Sequence, residues 1–149
     1  MRYREVTTAD HEQIAQKYIE TFAKAPWNET HEFETILMYI KRLAAMNTFM
    51  GLIVETSDTH TFLGAALGYI KPWYQGEEYV LDTFFIDPSH QSQHIGTRFM
   101  EHLKTVLASR EIPAIMLDTD RDTPAEKFYQ KHGFSASEDT VLMFGNTKN

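Results

Sequence analysis

The middle of the chain contains three apolar runs in quick succession, and these runs constrain the fold more than any other feature. They are "TFMGLIVE" (48–55), "TFLGAALGYI" (61–70) and "EYVLDTFFI" (78–86). All three are rich in the β-branched and aromatic residues that favour strands. Only the short polar segments "TSDTH" and "KPWYQGE" separate them, which is typical of turns between paired strands. We therefore predict an antiparallel sheet at the centre of the fold.

Segments with helical periodicity lie on both sides of these strands. Before them, apolar residues recur at helical spacing over about Ala9–Phe22, with Thr8 as the cap, and over about His31–Met46. After them, a clear amphipathic helix begins near Ile95, and "PAIMLDT" predicts a buried strand. The strand–helix–strand connection over about Val80–Thr119 should bring two strands into parallel contact.

The stretch "TPAEKFYQKHGF" (123–134) carries the signals of a short, capped helix. Thr123 suits the N-cap, Pro124 suits the first helical position, and Glu126 completes a capping box. Gly133 suits the left-handed position that ends a helix. "TVLMF" (140–144) then predicts a last strand. The predicted order is β-α-α-β-β-β-α-β-α-β, which is an α+β fold.

Length and composition narrow the class of protein. A chain of 149 residues favours a single domain over residues 1–149. It has no cysteine, which excludes disulfides, thiolate metal sites and a cysteine nucleophile. A formal net charge of −7 argues against general nucleic-acid binding, because phosphate contacts need a basic face. No apolar stretch approaches a membrane span and no leader opens the chain, so we expect a cytoplasmic protein that does not bind membranes.

A polar loop, "HQSQHIGTRFM" (90–100), connects the third apolar run to the helix that follows it. The start of a helix leaves backbone N–H groups unpaired and carries a partial positive charge, which suits an anion. The loop has neither the Walker A spacing nor the G-x-G-x-x-G spacing. Taken alone, it fits two interpretations, a phosphate-binding loop or a capped turn without a ligand.

Two motifs in order resemble the GNAT family of N-acetyltransferases. Gln91-x-x-His94-Ile95-Gly96, after the strand end Ile86-Asp87-Pro88, is similar to that family's acetyl-CoA loop, [Q/R]-x-x-G-x-[G/A]. The segment "PAEKFYQKHGF" is similar to its A-x-x-F-Y-x-K-x-G-F helix, with matches at Ala125, Phe128, Tyr129, Lys131, Gly133 and Phe134. The order of elements also agrees over nearly the whole chain. The loop and its helix locally resemble aminoglycoside 6′-N-acetyltransferases.

His94 departs from the family pattern, which has glycine at this position. Glycine allows both a close backbone approach and a positive φ. If only the close approach matters, an outward histidine side chain is harmless; if positive φ is needed, His94 would be strained. We expect an ordinary φ, because a helix should already have begun here. A protonated His94 would then add positive charge beside a phosphate.

The resemblance implies an acetyl-CoA site between two parallel strands that splay apart. Backbone groups of Phe84, Phe85 and Ile86 would bind the pantetheine arm. Amides of the loop would hold the pyrophosphate, and they belong to Gln91, Ser92, Gln93, His94, Ile95, Gly96 and Thr97. Asp122 stands where relatives often carry a cofactor-contacting asparagine, and an ionised aspartate cannot donate that bond. Ala125 and Phe128 would flank the pantetheine end.

The resemblance also implies the catalytic roles. Tyr129 matches the family's general acid, and a tyrosine keeps its proton at pH 7; the alternative is a tyrosine that only packs. Some relatives carry a glutamate base on the strand before the loop, where this chain has Asp82, with Glu29 and Asp118 as weaker candidates. Without a cysteine, we expect direct attack by the amine in a ternary complex.

The acceptor is predicted to be an amine on a small molecule or a peptide. The irregular segment "TFAKAPWNET" and the turn after the second run supply candidate residues, which are Trp27, Glu29, Trp73 and Tyr74. Ordinary packing of the tryptophans is the alternative. A different class of protein also stays open, namely a non-catalytic acetyl-CoA-binding or protein-interaction module of the same fold. We expect no metal, because His90 and His94 lack a third ligand at suitable spacing; a homodimer stays open.

Overall fold

A five-stranded sheet organises the first part of the chain in the computed structural model, which describes residues 1–91 and 93–148. Residue contacts divide the chain into two units, Met1–Asp118 and Thr119–Asn149. The strands are β1 (Arg2–Glu5), β2 (Phe49–Glu55), β3 (Phe62–Trp73), β4 (Gly76–Ile86) and β5 (Ala114–Met116). They lie side by side in the order of the sequence, and β1 to β4 are antiparallel neighbours. The antiparallel centre predicted from the apolar runs is confirmed.

Helices cover both faces of this sheet. The α-helices are α1 (His11–Phe22), α2 (Phe33–Ala44), α3 (Ile95–Ser109) and, in the second unit, α4 (Pro124–Lys131). Apolar side chains of α1 and α2 form one core cluster with Phe85. The ring of Phe99, on α3, stacks 5.3 Å from that of Phe84. Successive strand residues point to opposite faces, so Phe84 and Phe85 contribute to two cores. In the described ranges, no helix has the length and hydropathy to cross a membrane.

The first helical segment is capped one residue earlier than predicted, and α1 itself begins at His11, two residues later than predicted. A 3₁₀ turn at Thr8–Asp10 precedes α1, and its N-cap is Thr7 rather than Thr8. Asp10 accepts a hydrogen bond from the backbone N–H of Thr7 at 2.7 Å and binds Arg4 through both carboxylate oxygens at 2.8 Å. Asp10 therefore closes a capping box with the residue three positions before it, which moves the cap to Thr7.

The β3–β4 pair contains a bulge. Its register passes from Leu67 opposite Thr83 to Gly68 opposite Leu81, so Asp82 is an extra residue on β4. A bulge bends its strand and changes the direction of the side chains there. The bulge therefore sets where the side chain of Asp82 points.

The two parallel strands stay together over only three residue pairs. β5 pairs with β4 from Glu78–Ala114 to Val80–Met116. Within the described part of the chain, no strand pairs with this edge of β4 from Leu81 to Ile86. The predicted parallel contact is confirmed. The predicted burial of β5 is wrong, since Met116 is 44% exposed. The physical reason is that a strand that leaves its neighbour so early has little sheet around it.

The second unit contains α4, whose predicted ends are confirmed. Thr123 is the N-cap and accepts a hydrogen bond from the backbone N–H of Glu126 at 3.3 Å. The carboxylate of Glu126 reaches back to the backbone N–H of Asp122 at 3.0 Å. Pro124 opens the helix, and Gly133 has a φ of +87° shortly after its end. The capping groups therefore define where this short helix begins and ends.

The prediction of a last strand at "TVLMF" is wrong. Residues 134–148 contain no helix or strand. The four apolar residues of this segment, Val141, Leu142, Met143 and Phe144, are 80, 66, 80 and 90% exposed. The strand signal is local, whereas a strand forms only where another edge accepts its backbone hydrogen bonds.

Candidate active site

Asp82, the extra residue of the β4 bulge, lies at the centre of a polar cluster. The hydroxyl of Tyr39, on α2, donates to Oδ2 of Asp82 and lies 2.7 Å from the hydroxyl of Thr83. Thr83 donates to the same oxygen of Asp82 at 3.0 Å. Asp82 is nevertheless exposed to solvent. The arrangement holds one carboxylate in a fixed position while it stays accessible to a second molecule.

The surroundings of Asp82 change its acidity. Partial burial raises the pKa of Asp82 above its ordinary value, and the negative charge of Asp118 raises this pKa further. The hydrogen bond from Thr83 acts in the opposite direction. A carboxylate with a raised pKa is a stronger base once it is ionised. Asp82 is therefore better suited to accept a proton than an ordinary surface aspartate.

Aromatic and acidic side chains from α1 and the loop after it extend the cluster. The rings of Tyr18 and Tyr39 meet edge to face, with their centroids 6.0 Å apart. Burial raises the pKa of Tyr18, and the charges of Glu29 and Asp82 add to this effect. Glu29 in turn lies 2.7 Å from Nε2 of His31. Carboxylates beside aromatic rings attract a cationic amine rather than an anion.

Asp87 fixes the segment that follows β4. It is 3% exposed, and its backbone N–H donates to the carbonyl of Leu63 at 2.7 Å. Its carboxylate lies 2.6 Å from Ser89 Oγ, 3.0 Å from His90 Nδ1 and 3.4 Å from Lys17 Nζ of α1. Burial acts to raise the pKa of Asp87, but the bonds from Ser89, His90 and Lys17 outweigh it and lower this pKa. The chain therefore leaves β4 in a defined direction.

His94 is the N-cap of α3 and has a left-handed conformation, with φ at +59°. The expected ordinary φ is wrong, because α3 begins one residue later, at Ile95, and the chain enters it through a left-handed turn. Histidine adopts this conformation more often than most residues other than glycine. Successive backbone N–H groups around such a turn form a concave surface that suits an anion.

The first unit fits the cofactor that the sequence resemblance implies. The edge of β4 from Leu81 to Ile86 offers backbone N–H and C=O groups to an extended chain such as a pantetheine arm. The start of α3, a helix of 15 residues without an acidic side chain in its first turn, offers N–H groups to a pyrophosphate. The side chain of Gln91 donates to the carbonyl of Ile86 at 3.1 Å and ties the loop to the strand end.

The predicted cofactor residues of the first unit follow one another along this edge and loop. They are Phe84, Phe85, Ile86, Gln91, Gln93, His94, Ile95, Gly96 and Thr97, while Ser92 lies outside the described residues. The side chains of Phe85 and Ile95 are buried. These two residues can contact a cofactor only through their backbone. The assignment of this set to acetyl-CoA stays a prediction.

The predicted residues of the second unit lie on α4 or beside it. Tyr129 is half-buried, and burial raises its pKa to about 12. Its ring lies 5.4 Å from that of Phe128 and 5.5 Å from that of Phe134. Asp122 has a φ of +63°, a conformation that aspartate and asparagine share. Ala125 is in the first turn of α4. Tyr129 therefore holds its proton at neutral pH, as a general acid must.

Of the predicted acceptor residues, those after α1 lie near the Asp82 cluster. Glu29 is close enough to Tyr18 to affect its pKa. Trp27 packs edge to face on Phe22 of α1, with 5.0 Å between the ring centroids. Trp27 is therefore at least in part a packing residue, whereas Glu29 is exposed and charged.

The other two predicted acceptor residues lie elsewhere. Trp73 and Tyr74 are at the turn of the β3–β4 pair and are 48 and 80% exposed. Trp73 is five residues along β3 from Gly68, which lies beside the bulge, and five strand residues span about 17 Å. The structure does not bring Trp73 and Tyr74 together with Asp82.

The sequence analysis missed Tyr18, Tyr39 and Thr83. The two tyrosines lie within the helical stripes that pack against the sheet, so they resemble core residues in a periodicity pattern. A hydroxyl on such a stripe needs a polar partner, and this requirement is the signal that would have found them. In residues 1–91 and 93–148, no group of three or more His, Asp or Glu side chains is arranged to hold a metal ion.

Comparison with known proteins assigns the class. The sequence profile of the acetyltransferase (GNAT) family matches residues 11–134. The chain therefore belongs to the GNAT family of acetyltransferases. No curated protein sequence matches the chain.

Solved structures share this fold over nearly the whole chain. An aminoglycoside 6′-N-acetyltransferase from Acinetobacter haemolyticus is 12% identical, with a TM-score of 0.76, and the match covers 99% of this chain and 100% of that one. A ribosomal-protein-alanine N-acetyltransferase from Brucella melitensis is 13% identical, with a TM-score of 0.75 and coverage of 98 and 100%. A protein from Bacillus halodurans described as a transcriptional regulator is 21% identical, with a TM-score of 0.74 and coverage of 97 and 99%. At these sequence identities, the comparisons show that the proteins share a fold with this chain, and they show nothing more.

Proposed function

We propose that the protein is a cytoplasmic, acetyl-CoA-dependent N-acetyltransferase that acetylates a primary amine by direct attack in a ternary complex. The observation that carries the proposal is the local environment of Asp82. Asp82 is the extra residue of a bulge, its pKa is raised, and Tyr39 and Thr83 hold its carboxylate in place. It lies within the stretch of β4, Leu81 to Ile86, that has no strand partner on one side among the described residues.

Acetyl-CoA, when bound, supplies an acetyl thioester that an amine can attack. The backbone of Leu81–Ile86 and the amides at the start of α3 are the groups that would hold it. The chain itself has no cysteine, so an acetyl-cysteine intermediate cannot form. The protein's contribution is then to position the two substrates and to move protons.

Asp82 is the proposed general base. An amine like that of lysine has a pKa of about 10.4, so removing its proton at pH 7 costs about 4–5 kcal/mol. One oxygen of Asp82 would accept this proton, directly or through a water molecule. The neighbouring charge of Asp118 makes Asp82 a stronger base, and Tyr39 keeps the carboxylate oriented.

Tyr129 is the proposed general acid. Its pKa of about 12 means that Oη holds a proton throughout the neutral range. The amine adds to the acetyl carbon, the carbon–sulfur bond breaks, and the leaving thiolate of CoA would take the proton of Oη. Because a thiol has a pKa of about 8.5, this transfer is uphill and is complete only when Oη regains a proton from solvent.

A cationic primary amine is the proposed class of acceptor. Asp82, Asp118 and Glu29 supply negative charge, and Tyr18 and Tyr39 supply aromatic surface beside it. An aminoglycoside, a polyamine and a peptide amine all meet this description. The chemistry of this cluster favours the charged amine and excludes an anionic acceptor.

Release of free thiol from acetyl-CoA in the presence of a panel of amines tests the proposal. At least one cationic amine should accelerate release. The variant Asp82→Asn should lower kcat/KM by about 10²- to 10⁴-fold, which is the usual contribution of a general base. Asp58→Asn, which changes an exposed carboxylate in the β2–β3 turn, is the matched control and should leave the rate unchanged. Equal rates for the two variants would remove Asp82 from the mechanism.

The variant Tyr129→Phe tests the acid separately. It should lower kcat by about 10²- to 10⁴-fold while the Kd for CoA stays the same. Tyr3→Phe is the control, because Tyr3 is on β1 and stacks on the His102 ring at 4.0 Å. An unchanged kcat in Tyr129→Phe would assign this tyrosine to packing.

A second candidate function is a non-catalytic acetyl-CoA-binding or protein-interaction module. The observation that favours it is the fold likeness to the Bacillus halodurans protein described as a transcriptional regulator. The thiol assay separates the two functions. If CoA binds in calorimetry and no amine of the panel accelerates thiol release, the module is the better description.

A further inference from the structure

A groove on α2 lies beside the Asp82 cluster. Its apolar wall consists of Met38, Tyr39, Leu43 and Met46, and its volume is about 720 Å³. Pockets for small molecules have volumes of about 300–1,000 Å³, so the groove has the size for a small molecule. Tyr39 belongs to both features, because it lines the groove and its hydroxyl donates to Asp82. The groove and the proposed base are therefore parts of one continuous surface.

The two methionines of the groove present apolar surface to water. Met38 is 50% exposed and Met46 is 40% exposed, whereas Leu43 between them is buried. From Met38 to Met46 the wall runs roughly 12 Å along the helix axis, at about 1.5 Å per residue. Methionine is flexible and polarizable, so it adapts to apolar surfaces of different shapes. The wall therefore suits an elongated apolar group.

The polar residues of the groove supply no net charge. Glu34, Thr35 and Arg42 also line it, and the charges of Glu34 and Arg42 are opposite. A polyamine or an aminoglycoside would place further ammonium groups or hydroxyls against methionine side chains, where these polar groups lose their bonds to water. An apolar body loses no such bonds and is stabilised by leaving water.

We propose that the groove binds the apolar body of the acceptor while the amine of the acceptor lies against Asp82. The acceptor is then a small primary amine with a single positive charge on an alkyl or aryl body, rather than a polyamine or an aminoglycoside. This inference rests on the proposed function and narrows its class of acceptor. Met38 and Met46 determine specificity, because they contact the body of the amine and not its reacting nitrogen.

Thiol release with a series of unbranched amines is the first test. From ethylamine to hexylamine the chain gains four methylenes, and full burial of one methylene is worth about fourfold in an equilibrium constant. An open groove covers about one side of the chain, so we expect about twofold per methylene and a hexylamine-to-ethylamine ratio of kcat/KM of about 15.

A double variant tests the methionines through the same ratio, which a general loss of activity does not change. Met38→Gln with Met46→Gln should lower the ratio from about 15 to below about 3. Met116→Gln, the same substitution at a residue of β5 that is 44% exposed, is the matched control and should keep the wild-type ratio. A wild-type ratio close to one, or a ratio that the double variant leaves unchanged, would overturn the inference.

Nuclear magnetic resonance of the methionine methyl groups tests binding without turnover. The chain has seven methionines, and their ¹³C-labelled methyl signals are followed as hexylamine is added in the presence of CoA, which carries no acetyl group. The signals of Met38 and Met46 should shift and saturate, the signal of Met116 should stay in place, and ethylamine should bind about 15-fold more weakly.

The two readouts separate the inference from the proposed function. Without a response at Met38 and Met46 the inference is refuted, even if amines accelerate thiol release. With a saturating response and no accelerated release, the groove stands as a binding site for apolar amines and only the proposed function fails. Signals of Met38 and Met46 that change with protein concentration and not with amine would mean that a second copy fills the groove, and this too would refute the inference.

Discussion

Gly68→Ala is the substitution that tests most directly how the bulge at Asp82 is built. A Cβ added at Gly68 would lie 2.2 Å from the carbonyl oxygen of Val80, and 2.7 and 2.8 Å from Cζ and Oη of Tyr79. The first of these atoms belongs to the backbone of β4 and cannot move without opening the β3–β4 pair. Tyr79 is fully buried, and its hydroxyl donates to the carbonyl of Met50 at 2.7 Å.

Two costs add up in this variant. Overpacking of a tight core position costs about 1–3 kcal/mol. Displacement of the Tyr79 hydroxyl breaks its bond to the carbonyl of Met50 and leaves this buried hydroxyl without its acceptor, which costs about 1–3 kcal/mol more. Gly68→Ala should therefore lower the free energy of unfolding by about 2–6 kcal/mol, a large share of the stability of a small protein.

Urea unfolding followed by tryptophan fluorescence measures this change. Gly145→Ala is the matched control, because a Cβ there meets no atom within 4 Å, and it should change the free energy of unfolding by less than about 0.5 kcal/mol. Tyr79→Phe isolates the hydrogen bond, and its loss should be the smaller part of the total. A loss below about 1 kcal/mol in Gly68→Ala would mean that β3 and β4 separate without cost, and the account of a rigid bulge would be refuted.

Three further substitutions test the interactions that set the pKa values of Asp82 and Asp10. Asp118→Asn removes a negative charge that raises the pKa of Asp82, so the acid limb of the pH profile of kcat/KM should move to lower pH. Tyr39→Phe removes a donor to the ionised carboxylate, so the same limb should move to higher pH. If both variants move the limb in one direction, the assignment of the residue whose variant moves it the wrong way is contradicted. Asp10→Asn tests the ion pair between Asp10 and Arg4. The bonds from Arg4 are the largest cause that lowers the pKa of Asp10 from 3.8 to about 2. This depressed pKa stabilises the fold by about 2 kcal/mol above pH 4, and the stabilisation is lost as the pH falls through 2. Urea unfolding should therefore show a deficit in Asp10→Asn at pH 5 that disappears near pH 2.

The parts of the fold that local patterns control were predictable from the sequence. The antiparallel centre follows from three apolar runs with short turns, and α4 follows from Thr123, Pro124 and Gly133. In each case the determining groups are close together in the chain. Propensity and capping therefore mark these elements in the sequence, although packing stabilises them.

The parts that depend on distant contacts were not predictable. The bulge that isolates Asp82 arises because β3 and β4 differ by one residue in register, and no local signal marks which residue is extra. The role of Tyr39 requires α2 to lie beside β4. The left-handed φ of His94 was wrongly expected to be ordinary, because it depends on how the loop enters α3. The segment Val141–Phe144 failed as a strand because pairing needs an edge as well as a propensity.

The opening between β4 and β5 gives β4 two kinds of backbone amide. In an antiparallel ladder, successive residues direct their N–H groups alternately toward the neighbouring strand and away from it. From Leu81 to Ile86, one set therefore belongs to the ladder with β3, and the other set points to the side where β5 has departed. Hydrogen exchange should be slow for the first set in every state of the protein. For the second set, exchange should slow only when an extended ligand lies along the strand. The exchange rate of each of these amides therefore reports whether a ligand occupies the opening beside it.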